Sequence, residues 1–311
     1  MNKYIYLIIC FSIFSCNSFS KKAQYEFLYE FENEDKIENR DFSKTISVLK
    51  KRLDVLGYDY LVKRDAQKDI KILIKANNLN VDRFDKLMTN QGKLEFWELY
   101  KGDEFLKIIF EFSSSLVDKN EVVSDSVQAN PLLGLIAGRG YAGGPIVFQV
   151  KSQDTATVSS FLNQKEVKFY VPSEYSNVKF LWGVPDNDLI PLYAAKSNRE
   201  NKAPLKGESL ISAIQSVGYV GRPEINIEMD NDGAITWERM TEKAFRNNTS
   251  IAITINNLVY SAPGVVSGPI QGGKSSISGN FTLEEAQDLA VILSSKIPIP
   301  KLKLIAHDVI K

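Results

Sequence analysis

The sequence predicts an α+β protein with a ferredoxin-like N-terminal base, an inserted region and a second α+β unit. Three observations lead there. Tyr25 to Tyr100 runs strand, helix, strand, strand, helix, strand, an order that lets an antiparallel sheet carry two helices on one face. A glycine-rich stretch of weak periodicity follows. From Ile225 onward a strand and helix order returns, and it includes a sharply delimited amphipathic helix near the end.

The base is assigned residues 24–100. Tyr25 to Phe31 is its first strand. Phe42, Ile46, Leu49, Leu53 and Leu56 then lie at offsets of four, seven, eleven and fourteen, one apolar helical stripe, and Gly57 stands where a C-terminal cap belongs. Ile70, Ile72 and Ile74 belong to a short strand, Val81 to Met88 to a second helix, and Leu94 to Tyr100 is rich in strand formers. Residues 101–203 form an irregular insertion, with serines at Ser113 to Ser115 and glycines between Gly134 and Gly144. It holds a helix at Thr155 to Leu162 and strands near Ile146 to Val150 and Lys179 to Trp182.

Residues 204–311 are assigned to the second unit. Ile225 to Met229 is a strand, and Trp237, Met240, Ala244 and Phe245 mark one helical face. Asn256-Asn257 joins Ile251 to Ile255 and Leu258 to Tyr260 in a hairpin, because asparagine tolerates the positive φ of tight turns. Thr282 and Glu285 have capping-box spacing for a helix lined by Ala286, Leu289, Ala290 and Leu293; Pro298 stops it, and Lys301 to Ile305 is a final strand.

With 311 residues, 44% of them apolar, the chain buries one large core or two medium ones. Lysine plus arginine equals aspartate plus glutamate at 38 each, so no net field favours nucleic acid. At the N-terminus, Lys3 precedes the apolar run Tyr4 to Ile9, which continues through Phe11 and Ile13. Spanning a membrane takes about 20 apolar residues, more than this run has. Ile13-Phe14-Ser15-Cys16 looks like a lipobox, which makes residues 1–15 a signal peptide, Cys16 the lipidated residue and 16–23 a polar tether. An ordinary secretion signal cut nearby, or a short hydrophobic strand, fits the same run. Cys10 falls in the signal, so the folded part holds no cysteine for a disulfide or a thiolate metal site.

Two glycine patterns imitate nucleotide sites. Gly268-Pro269-Ile270-Gln271-Gly272-Gly273-Lys274-Ser275 satisfies the phosphate-loop spacing, and Gly138-Arg139-Gly140-Tyr141-Ala142-Gly143 the dinucleotide spacing. Each should open a helix whose N-terminus meets phosphate, whereas strand or turn sequence follows both. His307, the sole histidine, lies close to the chain end, so no histidine cluster can bind metal and no serine–histidine pair is expected. The expectation is a protein without catalytic residues, metal, nucleotide or cofactor. Tyr219, Tyr260, Val265, Val266 and Phe281 are candidates for holding polypeptide, since apolar groups near loops suit varied unfolded segments; for each, a place in the core is the stronger reading of the sequence.

One set of residues carries a family resemblance. "YSAP" at Tyr260 to Pro263, Gly272-Gly273, and "ISGNFTLEEAQDLA" from Ile277, containing Gly279, Asn280, Phe281 and Thr282, resemble the first periplasmic domain of the SecD and SecDF protein-export family, as does the closing Ile299-Pro300. "LKKRLDVLG" at Leu49 to Gly57 and "GKLEF" at Gly92 to Phe96 resemble its base. Asn130-Pro131-Leu132, Trp182-Gly183-Val184, Ala203 to Gly207 and Gly221-Arg222-Pro223 resemble longer fused SecDF proteins of Bacteroidetes-type bacteria. The resemblance implies a base and mobile head facing the periplasm that contacts emerging polypeptide. In that family a transmembrane helix follows this domain and proton flow drives the work; this sequence stops at Lys311, and the expectation is an accessory lipoprotein without a motor. Its partners would be Sec translocase components or translocating polypeptide. A structural adaptor of another envelope complex is the alternative.

Overall fold

The computed structural model describes residues 23–65, 69–115, 132–163, 172–175 and 177–310. The signal peptide, Cys16 and the tether up to residue 22 lie outside the described residues. The base consists of β1 (Ala23–Phe31), α1 (Asn39–Leu56), β2 (Asp59–Arg64), β3 (Ile70–Ala76) and α2 (Val81–Thr89), completed by β15 (Leu302–Ile310). Its antiparallel sheet has the order β15-β1-β3-β2. In α1 the apolar stripe buries Phe42, Leu49 and Leu53, while Gly57 takes φ 71° and returns its N–H to Asp54 and Leu53 carbonyls, as a left-handed cap requires.

This corrects one expectation: the fourth strand of the base is β15, not Leu94 to Tyr100, so the last strand belongs to the base and not to the C-terminal unit. The strand Leu94–Glu98, β4, pairs instead with β12 (Ile251–Ile255) in an eight-stranded sheet. Leu94, Glu95, Phe96 and Trp97 are all buried, which requires cover on both faces. β15 offers Leu302 to the core and leaves Lys303, His307 and Asp308 out, a pattern suited to a sheet edge.

The eight-stranded sheet has the order β5-β6-β8-β7-β13-β12-β4-β9, with β5 Ile136–Gly138, β6 Ile146–Lys151, β7 Val178–Gly183, β8 Leu189–Lys196, β9 Leu205–Lys206 and β13 Leu258–Ser261. Only β7 and β13 run parallel among its pairs. Within Lys101 to Ala203 the expected helix at Thr155–Leu162 and the strands near Ile146 and Lys179 are present, and β5, β8 and a further helix join them, so the stretch is more regular than its reading as an irregular insertion. Ser113 to Ser115 belong to the end of helix α3 (Gly102–Ser115), whose Phe105 and Ile109, four apart, are buried with Val147, Phe148, Leu162 and Leu192. Asn256 and Asn257 take φ 53° and 68° in the β12–β13 turn, the positive values that a tight hairpin needs.

A third sheet, β10 (Leu210–Val217), β11 (Pro223–Met229) and β14 (Lys274–Ser278), is antiparallel in that order. Helix α4 (Thr155–Leu162) covers the eight-stranded sheet's far end, and α5 (Asn231–Asn247) buries Trp237, Met240 and Ala244. Phe245 is exposed, contrary to its place in the expected stripe, because the helix face has turned away from the core by that residue. The last helix, α6 (Leu283–Ser294), lies between α1 and α2 on one side and β10 and β11 on the other. It buries Ala286, Leu289 and Ala290 to Leu293, so base and third sheet share one continuous core.

The Thr282 hydroxyl accepts from the Glu285 N–H at 3.1 Å, and Glu285 accepts from the Thr282 N–H at 2.8 Å. Thr282→Ala is expected to lower stability by about 1 kcal/mol, read as a shift in the urea midpoint with unchanged slope.

Candidate functional site

A cleft of 710 Å³ opens where the base meets the rest of the chain. Lys86 and Leu87 come to it from α2 and Asn90 from its C-terminal cap; Glu285, Asp288, Leu289 and Ile292 from α6; Ile146, Gln149, Pro191 and Tyr193 from the eight-stranded sheet. Tyr260, Asn280 and Phe281 close one side. The Tyr260 and Phe281 rings stack 6.1 Å apart at 26°. Gly279 makes that packing possible: a Cβ there would lie 3.0 Å from the Phe281 ring and 3.2 Å from the Tyr260 carbonyl. Burial, with Glu285 adding to it, raises the Tyr260 phenol above its ordinary pKa, so the hydroxyl stays protonated and remains a donor.

Charge at the cleft is already balanced in part. Arg83 donates from Nε and Nη2 to Asp288 Oδ1 at 2.9 and 2.7 Å, tying α2 to α6. Glu285 is engaged in its cap. The remaining surface combines aromatic and aliphatic faces with scattered polar groups, a combination that accommodates varied side chains without demanding one sequence.

Two chain crossings connect the base to the rest beside this cleft, and they bind each other. Ile299 donates its N–H to the Gln91 carbonyl at 2.9 Å, and Asn256 donates to the Lys93 carbonyl at 2.9 Å. The Asn256 side chain accepts from the Lys93 N–H at 3.0 Å and donates to Asn90 Oδ1 at 2.9 Å. Arg52 supports the junction from inside α1. Its Nη1 donates to the carbonyls of Leu87 at 2.8 Å and Asn90 at 2.7 Å.

Of the polypeptide-holding candidates, Tyr260 and Phe281 meet at the cleft. Val265 is half-buried against the main core. Val266 is exposed at 80% and Tyr219 entirely so, and neither lines the cleft; Tyr219 sits at the tip of the β10–β11 hairpin. Among the motif residues, Gly272 and Gly273 have φ 77° and 68° and lead into β14, so the phosphate-loop pattern ends in a strand, not at a helix N-terminus. The Gly138 pattern likewise joins β5 to β6. The sequence reading missed Arg52 and the cleft residues on α2 and β8. Arg52 had a signal, a cation inside the apolar stripe between Leu49 and Leu53; the cleft had none, because distant segments build it.

A base made of segments far apart in the chain, with everything else inserted between α2 and β15, defines a base-and-head protein. Residues 192–297 match the family model described as "SecDF, P1 head subdomain". The chain is 34% identical over 176 residues to the protein translocase subunit SecD of Rhodothermus marinus, a match covering 55% of this chain and 27% of that one. It is 25% identical over 279 residues to the SecD subunit of Rickettsia felis, covering 82% of this chain and 51% of the relative. A crystal structure of SecDF in a super-membrane-facing form shares the fold at a TM-score of 0.55 and 22% identity, over 93% of this chain and 30% of that one. These matches support a SecD/SecDF first periplasmic domain in this chain. The chain spans from about a quarter to half of the two curated relatives described.

Proposed function

We propose that this protein is an envelope accessory of protein export that holds translocating polypeptide in the cleft between base and head, working beside Sec translocase components. The observation that carries this reading is the stacked Tyr260–Phe281 pair, set by Gly279 against a cleft of 710 Å³ at the base–head junction. That volume takes a few side chains of an unfolded segment and not a folded domain. The relatives' naming as protein translocase subunits supports it. Cys16 is proposed as the lipid anchor that keeps the domain at a membrane, facing the periplasm. No helix among the described residues is long and apolar enough to cross a membrane. Binding here is passive and needs no cofactor or catalytic residue.

A photo-crosslinking amino acid placed at Phe281 in native cells tests the reading. Crosslinks to exported chains or translocase subunits are expected, with Tyr260→Ala reducing them and Cys16→Ala releasing the protein from membranes. Consistent capture of an unrelated envelope complex, with neither of those partners, would sink the export role and leave a structural adaptor.

A further inference from the structure

β10 lies at one edge of the third sheet and, among the described residues, pairs with β11 alone. Exposed edges invite pairing with other chains, and proteins ordinarily blunt them with charges, proline or shortness. The other edges here are treated that way. β2 carries Asp59, Lys63 and Arg64; β15 carries Lys303 and Asp308; β14 carries Lys274; β5 has three residues and β9 two. β10 is different. Its eight residues, Leu210-Ile211-Ser212-Ala213-Ile214-Gln215-Ser216-Val217, include no charge and no proline, and Ile211, Ile214 and Val217 are exposed at 53, 63 and 65%.

The main-chain ladder can be followed residue by residue. The Gly218 N–H donates to the Arg222 carbonyl at 2.8 Å, one step beyond the Val217–Pro223 pair. Antiparallel pairs alternate, so Ser216, Ile214 and Ser212 turn their main-chain groups toward β11, while Val217, Gln215 and Ala213 turn theirs to the open edge. The far side agrees: the Met229 N–H donates to Gly273, so Met229, Ile227 and Ile225 face β14 and their neighbours on β11 face β10.

We propose that β10 accepts an extended, uncharged segment of polypeptide as an added strand. Regularly spaced N–H and C=O groups recognise another backbone, which a lipid surface does not supply, and Ile214 offers an apolar contact beside Ser212 and Ser216. The edge ends near the cleft: β10 runs into the exposed tip Tyr219-Val220, and Arg222, just past the tip on the returning arm, lines the cleft. This rests on the export reading and gives it a substrate class, unfolded segments of β-forming, uncharged sequence.

The test uses the full chain in detergent and a fluorescent eight-residue threonine–valine peptide, N-methylated at every second residue so that it pairs along one edge and does not aggregate. Gln215→Pro removes an outward N–H and leaves the β10–β11 ladder intact, and Ile214→Lys adds the missing charge. Each is expected to weaken peptide binding roughly tenfold, the worth of one or two ladder bonds, with the thermal midpoint within a few degrees of wild type. Unchanged affinity in Gln215→Pro overturns the proposal, as does a wild-type dimer that this substitution dissociates while peptide fails to bind. If crosslinks from Phe281 to exported chains persist in a variant whose peptide affinity is unchanged, the edge proposal alone falls; if wild type itself gives no such crosslinks, the export reading falls.

Discussion

Arg52→Ala is expected to remove about 2–4 kcal/mol of stability, read as a lowered urea midpoint. Arg52 is 0% exposed, and no ion pair to it is found among the described residues. Its partners are carbonyls at the end of α2, those of Leu87, Asn90 and, at 3.4 Å, Met88, where the helix presents its unsatisfied acceptors and the negative end of its dipole. Burial lowers its pKa from the ordinary arginine value; the carbonyls oppose that effect by bonding the cation. Alanine would leave those acceptors dry and unpaired and open a void under α1. All three bonds come from Nη1; Arg52→Lys keeps a cation with several donors but on a shorter side chain that does not reach as far, so it is expected to recover part of the loss only. Gly92, at φ 69°, accommodates the guanidinium: a Cβ there would stand 2.9 Å from Nη2.

Gly273→Ala is expected to cost about 2–4 kcal/mol, while Gly272→Ala costs about 1, although the two are adjacent and share a left-handed conformation. Strain from positive φ is common to both. The difference is space. A Cβ on Gly272 meets nothing within 4 Å, whereas one on Gly273 would lie 2.8 Å from the Ala234 Cβ and 3.3 Å from the Met229 Cβ. Gly273 also accepts the Met229 N–H at 2.9 Å, so moving it disturbs the end of β11 and the start of α5. Parallel thermal melts of the two variants separate strain from crowding; equal losses would refute the crowding argument.

Local periodicity made the base helices, the Asn256-Asn257 hairpin and the capped α6 legible, because each is specified by residues within a few positions of one another. Strand partnership was not. Leu94 to Glu98 and Leu302 to Ile310 are both good strand sequences, and their difference lies in burial: a nearly continuous apolar run belongs inside a covered sheet, an alternating charged one at an edge. The site was half legible. Tyr260 and Phe281 were marked by their motifs and do meet, but their neighbours Tyr193 and Leu87 come from elements whose approach depends on the whole topology. Phe245 misled because helical periodicity ignores where the covering element stops.

The pairing of β1 with β15 also sets an order of assembly. Gln24 lies opposite Ile310 and Phe31 opposite Leu302, with the head and both other sheets folded in between. Closing a loop of that length costs roughly 5 kcal/mol of chain entropy, most of which the head repays by forming first and drawing its two crossings together. In a chain made from its N-terminus, β1 waits with one side unpaired until the strand from Leu302 arrives. The base therefore closes late: a chain interrupted before Leu302 keeps β1 open on one side and lacks part of the core, which leaves that edge free to pair with other chains.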